Sequence, residues 1–173
     1  LTAGGFLLMR HGETNWPLVN VRRLPGHAND LAPLTSAGVE EVRRRCGELR
    51  GIPLRYVVSS PMTRAVQSAA IAAGCLNLPL HVELDLHEWV PDLTFNWTDP
   101  SQVDRPLTAL WAGIEPVDFD GPPYESRHDL AARIRQVLGR HAGDDPVLVL
   151  THAVAIWSVT GRRLDTAAVT WLT

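Results

Sequence analysis

The sequence predicts an α/β fold in which a mainly parallel sheet is covered by helices on both faces. Three observations predict it. Continuous apolar runs at residues 6–9, 56–58 and 147–150 have the aliphatic, aromatic and β-branched character of buried strands. Segments with apolar residues at helical spacing stand between them, the alternation expected of βαβ units. Each run is also closed by polar side chains, Arg10-His11, Ser59-Ser60 and Thr151-His152. In an open α/β sheet, ligands bind beyond the carboxyl ends of the strands.

Phe6-Leu7-Leu8-Met9 is the first strand. Residues 10–33 are rich in Gly, Pro and Asn without a sustained period, which predicts a loop. Thr35 or Ser36 can cap a helix reaching about Arg50, with Val39, Val42, Cys46 and Leu49 on one face. Gly51 and Pro53 end it. Tyr56-Val57-Val58-Ser59 is the second strand, and Pro61 suits the first turn of a helix running to about Ala73. Residues 80–83 alternate in character and predict a third strand.

Residues 89–125, dense in Pro, Asp and Trp, show no clear period. They read as an excursion facing the substrate, with a short helix over residues 103–112. Leu130, Ile134, Val137 and Leu138 mark another amphipathic helix. Residues 147–150 are the clearest central strand, 153–160 a helix, and 168–172 an edge strand. With no internal repeat and no low-complexity linker, residues 1–173 read as a single domain.

A chain of 173 residues is long enough to bury a substantial core. Its net charge of −3 gives no basic surface for nucleic acid, so an anion site must be local. All 16 basic side chains are arginine, which removes Schiff-base and P-loop lysine chemistry. Cys46 and Cys75 lack metal-ligand spacing and read as ordinary thiols in a reducing compartment. No apolar stretch reaches the length of a membrane span and no secretion signal precedes the first strand. The expected location is the cytoplasm, with neither membrane nor nucleic acid as a partner.

The strand-end residues, joined by Arg64 and by Glu88 in Leu86-His87-Glu88-Trp89, make a chemically coherent set: Arg10, His11, Arg64, Glu88 and His152. That set suits a phosphate monoester. Guanidinium groups grip phosphoryl oxygens with paired donors and stay charged. A neutral imidazole is a competent nucleophile toward phosphorus. A second imidazole, protonated under the substrate's negative charge, donates to another oxygen. Charge stabilisation and alignment supply most of the catalysis in phosphoryl transfer. A carboxylic acid with a pKa raised by burial protonates the leaving oxygen, then accepts a proton from water.

Each residue also has an ordinary reading. His11 alone is a packing residue, Arg64 a solvated helix arginine, and His152 a hydrogen-bonded core histidine. His87, Asp85, Asp92 and Glu83 stand close to Glu88 as alternatives to it. A metal site from Asp85, His87 and Glu88 lacks recognisable ligand spacing, and no metal or other cofactor is expected. His27, His81, His128 and His141 read as surface residues. Trp89, Trp97 and Trp111 either line a substrate pocket or pack the excursion onto the domain.

The run Leu8-Met9-Arg10-His11-Gly12-Glu13-Thr14, then Pro33-Leu34-Thr35 with Gly38, then Ser59-Ser60-Pro61 with Arg64-Ala65 and Gln67-Ser68-Ala69, form an ordered series. Together with Glu88 and the strand ending Thr151-His152, that series resembles the histidine phosphatase superfamily, also called the phosphoglycerate mutase-like family. The resemblance spans most of the chain and implies a three-layer αβα sandwich. It implies that His11 is the phosphorylated nucleophile, that Arg10, Arg64 and His152 form the phosphate pocket, and that Glu88 is the general acid and base. Many members of the family place Asn where this chain has Pro17; Asn20 is the nearest substitute for that phosphate contact. Thr14 adds a hydroxyl donor or caps a turn. The final motif commonly reads His-Gly, and His152-Ala153 keeps the backbone N–H while adding one methyl.

The implied function is a metal-independent phosphomonoesterase that acts on a small phosphorylated metabolite through phosphohistidine. A phosphoglycerate-type mutase, a protein-phosphohistidine phosphatase and a catalytically silent phosphate-binding module are the alternatives. The substrate is set by the unpatterned segment after Trp89, and no oligomeric state is predicted.

Overall fold

Five strands, β1 (Phe6–Arg10), β2 (Val57–Ser59), β3 (Leu80–Val82), β4 (Val147–Thr151) and β5 (Val169–Leu172), form one sheet in the order β3-β2-β4-β1-β5. The structure is a computed structural model describing residues 5–23, 26–98 and 100–172. The ends of the 1–173 span and Asp99 of the excursion therefore lie outside the described residues. β4 pairs in parallel with β1 on one side and β2 on the other, and β2 pairs in parallel with β3. Only β5 runs antiparallel, on the far edge of β1. This is the mainly parallel α/β architecture that the sequence predicts.

Alternation along the strands explains the layers. Leu7, Met9, Val57, Leu148 and Leu150 point into a core shared with α2 (Ser36–Leu49) and α3 (Thr63–Leu76). Leu8, Val58, Val147 and Val149 point into the opposite core. There they meet α4 (Asp104–Trp111), α5 (Arg127–His141) and α6 (Ala153–Thr160). Every residue of β4 is buried, so both of its faces contribute. Each fully buried aliphatic side chain is worth about 1.5–3 kcal/mol relative to exposure.

The helix ends follow local chemistry. Thr35 caps α2 by accepting the Gly38 N–H at 2.9 Å, and Ser126 caps α5 by accepting the Asp129 N–H at 3.0 Å. α3 and α6 stop at Asn77 and Gly161, both in the left-handed region.

Three expectations need correction. The predicted loop over residues 10–33 contains helix α1 (Trp16–Val21), which is too short to show a period. Asn15 caps it by accepting the Leu18 N–H at 3.1 Å, and Pro17 sits in its first turn. Pro61 lies outside α3, which begins at Thr63 after the extended Met62. His141 is half-buried instead of exposed, because the last turn of α5 lies against Tyr56 and Glu83. Its Nδ1 is 3.0 Å from the Tyr56 hydroxyl and its Nε2 2.8 Å from Glu83. His81 and His128 are exposed, and the side chain of His27 lies outside the described residues. Cys46 is buried and Cys75 exposed, both as free thiols. No helix among the described residues is long and apolar enough to cross a membrane.

Candidate active site

The strand order brings the carboxyl ends of β1, β4 and β2 side by side. The His11 N–H donates to the Thr151 carbonyl at 3.1 Å, and the Ser60 N–H donates to the Leu150 carbonyl at 2.9 Å. His11 and His152 thereby meet edge to face, with ring centroids 5.1 Å apart.

One contact sets the chemistry of His11. Its Nδ1 is 2.8 Å from the Gly12 carbonyl oxygen. A carbonyl only accepts, so Nδ1 carries the proton and Nε2 keeps its lone pair. Burial, followed by the charge of Arg64 and then that of Arg10, drives the imidazole pKa down to about 3, against the Gly12 bond that favours protonation. At neutral pH the ring is an uncharged base. Thr14 is buried beside it, with Oγ1 3.4 Å from Nδ1.

His152 is completely buried. The Ser60 hydroxyl accepts the Met62 N–H at 3.3 Å and is hydrogen-bonded to His152 Nε2 at 2.7 Å. The other ring nitrogen, Nδ1, has no hydrogen-bond partner. Burial, reinforced by Arg64, holds this imidazole neutral as well. The proton that the sequence predicts on this ring comes with the substrate's negative charge; without that charge, burial keeps the imidazole neutral.

Arg64 is nearly buried on the first turn of α3, and burial lowers its pKa against the charges of Asp30 and Glu88. Its Nη1 is 3.8 Å from Asp30 Oδ1, an ion pair beyond hydrogen-bond length, and its guanidinium lies 5.2 Å over the Trp16 ring. Arg10 donates through Nη1 to the Leu164 carbonyl at 2.8 Å. Among the described residues, the buried side-chain polar atoms without a hydrogen-bond partner are Arg10 Nε, Arg64 Nε, Arg64 Nη1 and His152 Nδ1. All belong to the predicted phosphate set. Unpaired buried donors are costly, and a bound anion is what would satisfy them.

Glu88 sits across from this cluster at the N-terminus of α6. Its Oε1 accepts the N–H groups of Trp89 and Ala155 at 2.9 Å and 3.0 Å, and its Oε2 that of Val154 at 3.2 Å. Burial pushes its pKa up, against these donors and the charge of Arg64. Thr151 Oγ1 donates to the Leu86 carbonyl at 2.8 Å, tying the end of β4 to this loop.

Several motif residues serve as framework. A Cβ on Gly12 would strike the Gly38 carbonyl, and one on Gly38 would strike the Glu13 carbonyl. The nucleophile loop and α2 therefore pack backbone to backbone. Ser68 Oγ accepts the Gly12 N–H at 3.1 Å, and Gln67 accepts the Leu34 N–H at 2.7 Å. The sequence gives no role to Ser60 or Asp30. It also passes over Arg133, which binds the loop bearing Glu88. The signal was present: Arg133 falls on the face of α5 that carries Leu130, Ile134 and Val137.

A cavity of about 840 Å³ opens over these groups. Arg10, His11, Thr14, Asn20, Arg64 and Glu88 all line it, Asn20 from the exposed side of α1. Trp89 and Trp97 line it too, whereas Trp111 packs edge-on against Trp157 at 4.5 Å. Among the described residues, no cluster of three or more His, Cys, Asp or Glu is placed to hold a metal.

A family model described as the histidine phosphatase superfamily, branch 1, matches residues 6–172. The chain is 32% identical over 170 residues to a bifunctional protein of Mycobacterium tuberculosis, covering 92% of this chain and 44% of that one. It thus spans less than half of that relative's length. A Yersinia pestis protein named as a probable phosphoglycerate mutase is 26% identical over 170 residues, covering 93% and 75% of the two chains. In fold, the chain is similar to a mycobacterial glucosyl-3-phosphoglycerate phosphatase, with a TM-score of 0.74 and 22% identity over 99% of this chain and 90% of that one.

Proposed function

The chain belongs to the histidine phosphatase superfamily, and on that premise we propose that it is a metal-independent phosphomonoesterase working through a phosphohistidine intermediate. The observation that carries this reading is the neutral His11, its Nδ1 tied to the Gly12 carbonyl, among buried arginine donors that lack partners.

His11 Nε2 attacks phosphorus in line, forming a P–N bond as the ester P–O bond breaks. Arg10, Arg64 and His152, protonated under the phosphate's charge, hold the non-bridging oxygens. Glu88, whose carboxyl is biased toward protonation by burial, gives its proton to the departing alkoxide. The resulting carboxylate then takes a proton from water, which cleaves the P–N bond and releases phosphate with His11 restored. Thr14 and Asn20, on the wall of the same cavity, are further contacts for the phosphate or its ester.

Quenching turnover of a ³²P-labelled ester in alkaline detergent tests the mechanism. Label should appear on the protein as an acid-labile, base-stable phosphoramidate, and both label and turnover should vanish in His11→Ala. Turnover near wild type in that variant overturns the proposal.

A further inference from the structure

We infer that the alcohol carried by the substrate is bulky and apolar and bears no second anionic group. The inference rests on the phosphomonoesterase reading of the same site and narrows it from any small phosphorylated metabolite.

Charge is the first argument. The arginines lining the cavity are Arg10 and Arg64, and both are committed to the phosphoryl group. Lysine does not occur in the chain. Of the acids on the described wall, Asp30 is ion-paired with Arg64 and Glu88 carries the leaving-group proton, which leaves Glu13 and Asp104. A carboxylate or second phosphate on the substrate would meet Glu13 and Asp104 with no further arginine among the described lining residues to offset them, an unfavourable burial of charge.

Apolar surface is the second argument. Trp16, Leu31, Leu84 and Phe95 line the cavity while 44%, 62%, 71% and 61% exposed. Large apolar side chains left in water around a single cavity mark a binding groove. Val103 and Leu107 add half-buried aliphatic wall. Trp16 also stacks on Arg64, so the apolar wall begins at the phosphate cradle itself. A volume of about 840 Å³ is in the range that encloses drug-sized ligands, well beyond a three-carbon acid.

A series of primary alkyl phosphates from ethyl to hexyl tests this, because the leaving-group pKa hardly changes along it. His11-dependent kcat/KM should rise by up to about fourfold per methylene buried, mostly through KM. 3-Phosphoglycerate should be hydrolysed at least tenfold less efficiently than hexyl phosphate. The double variant Leu84→Ser, Phe95→Ser should lower kcat/KM for hexyl phosphate more than for ethyl phosphate. A flat series, or a preference for 3-phosphoglycerate, overturns the apolar assignment and leaves the phosphatase standing. Failure of every ester to turn over above the His11→Ala background overturns both.

Discussion

Arg133 grips Glu125 with two nitrogens, Nε 2.6 Å from Oε1 and Nη2 2.9 Å from Oε2. The same guanidinium donates to the carbonyls of Asp85, His87 and Glu88 at 2.7 Å, 2.8 Å and 3.1 Å. Glu125 in turn accepts the Val90 N–H at 3.1 Å, and its carbonyl takes the Trp89 indole N–H at 2.7 Å. The Arg133–Glu125 pair therefore ties both ends of the 89–125 excursion to the loop that presents Glu88. Such a pair adds little net stability against an apolar replacement, but breaking one half leaves a buried charge.

Arg133→Met should accordingly destabilise the fold by about 3–5 kcal/mol. Adding Glu125→Gln should restore part of the loss, since the stranded carboxylate is gone. Because Arg133 acts on Glu88 through its backbone, the single variant should lose more activity on an alkyl phosphate than on p-nitrophenyl phosphate. Equal losses on the two substrates would reduce Arg133 to a purely structural residue.

Glu88→Gln addresses the acid directly. An alkoxide leaves poorly without a proton, whereas p-nitrophenolate leaves unaided. Alkyl phosphate turnover should fall by about 10²–10⁴-fold, with a much smaller effect on release of p-nitrophenol. The single-turnover burst with the aryl ester should survive. Parallel losses on both esters in the first-turnover phosphorylation step would remove Glu88 from the leaving-group step.

The sequence was informative where one chain segment contained the whole signal. β4 is buried on both faces and reads as an apolar run, and His11 directly follows a strand with Gly12 behind it. Features made by docking separate segments were not legible. Ser60 acquires its role only when β2 lies beside β4, and Arg133 only when α5 closes over the Glu88 loop. Helix α1 escaped notice because six residues cannot express a period, although Asn15 and Pro17 mark its start. The charge state of His152 depends on burial, which no local pattern reveals.

Gly38 should tolerate no side chain. In Gly38→Ala the new methyl meets the Glu13 carbonyl, so α2 must retreat from the nucleophile loop. The loop loses support from Thr35, whose hydroxyl reaches Glu13 at 2.7 Å. Overpacking of this kind costs about 1–3 kcal/mol. Thermal unfolding should show that loss together with weaker vanadate inhibition, because the loop holds His11. Gly47→Ala, on the open side of the same helix with nothing near its Cβ, should leave both measurements close to wild type or slightly improved.

His11 also predicts how stability depends on pH. Its pKa is near 3 in the folded protein and 6.5 for an unperturbed imidazole. Above pH 6.5 the ring is neutral in both states and contributes no pH dependence. Between pH 6.5 and about 3 the unfolded chain takes up a proton there and the folded chain does not, so acidification favours unfolding. The full window corresponds to a loss on the order of 5 kcal/mol. Urea unfolding at pH 7, 5.5 and 4 in phosphate-free buffer should therefore show a steeper acid-side decline for wild type than for His11→Gln, whose amide does not titrate. Superimposable pH profiles for the two proteins would mean that His11 protonates in the folded state, and the neutral nucleophile would have to be abandoned.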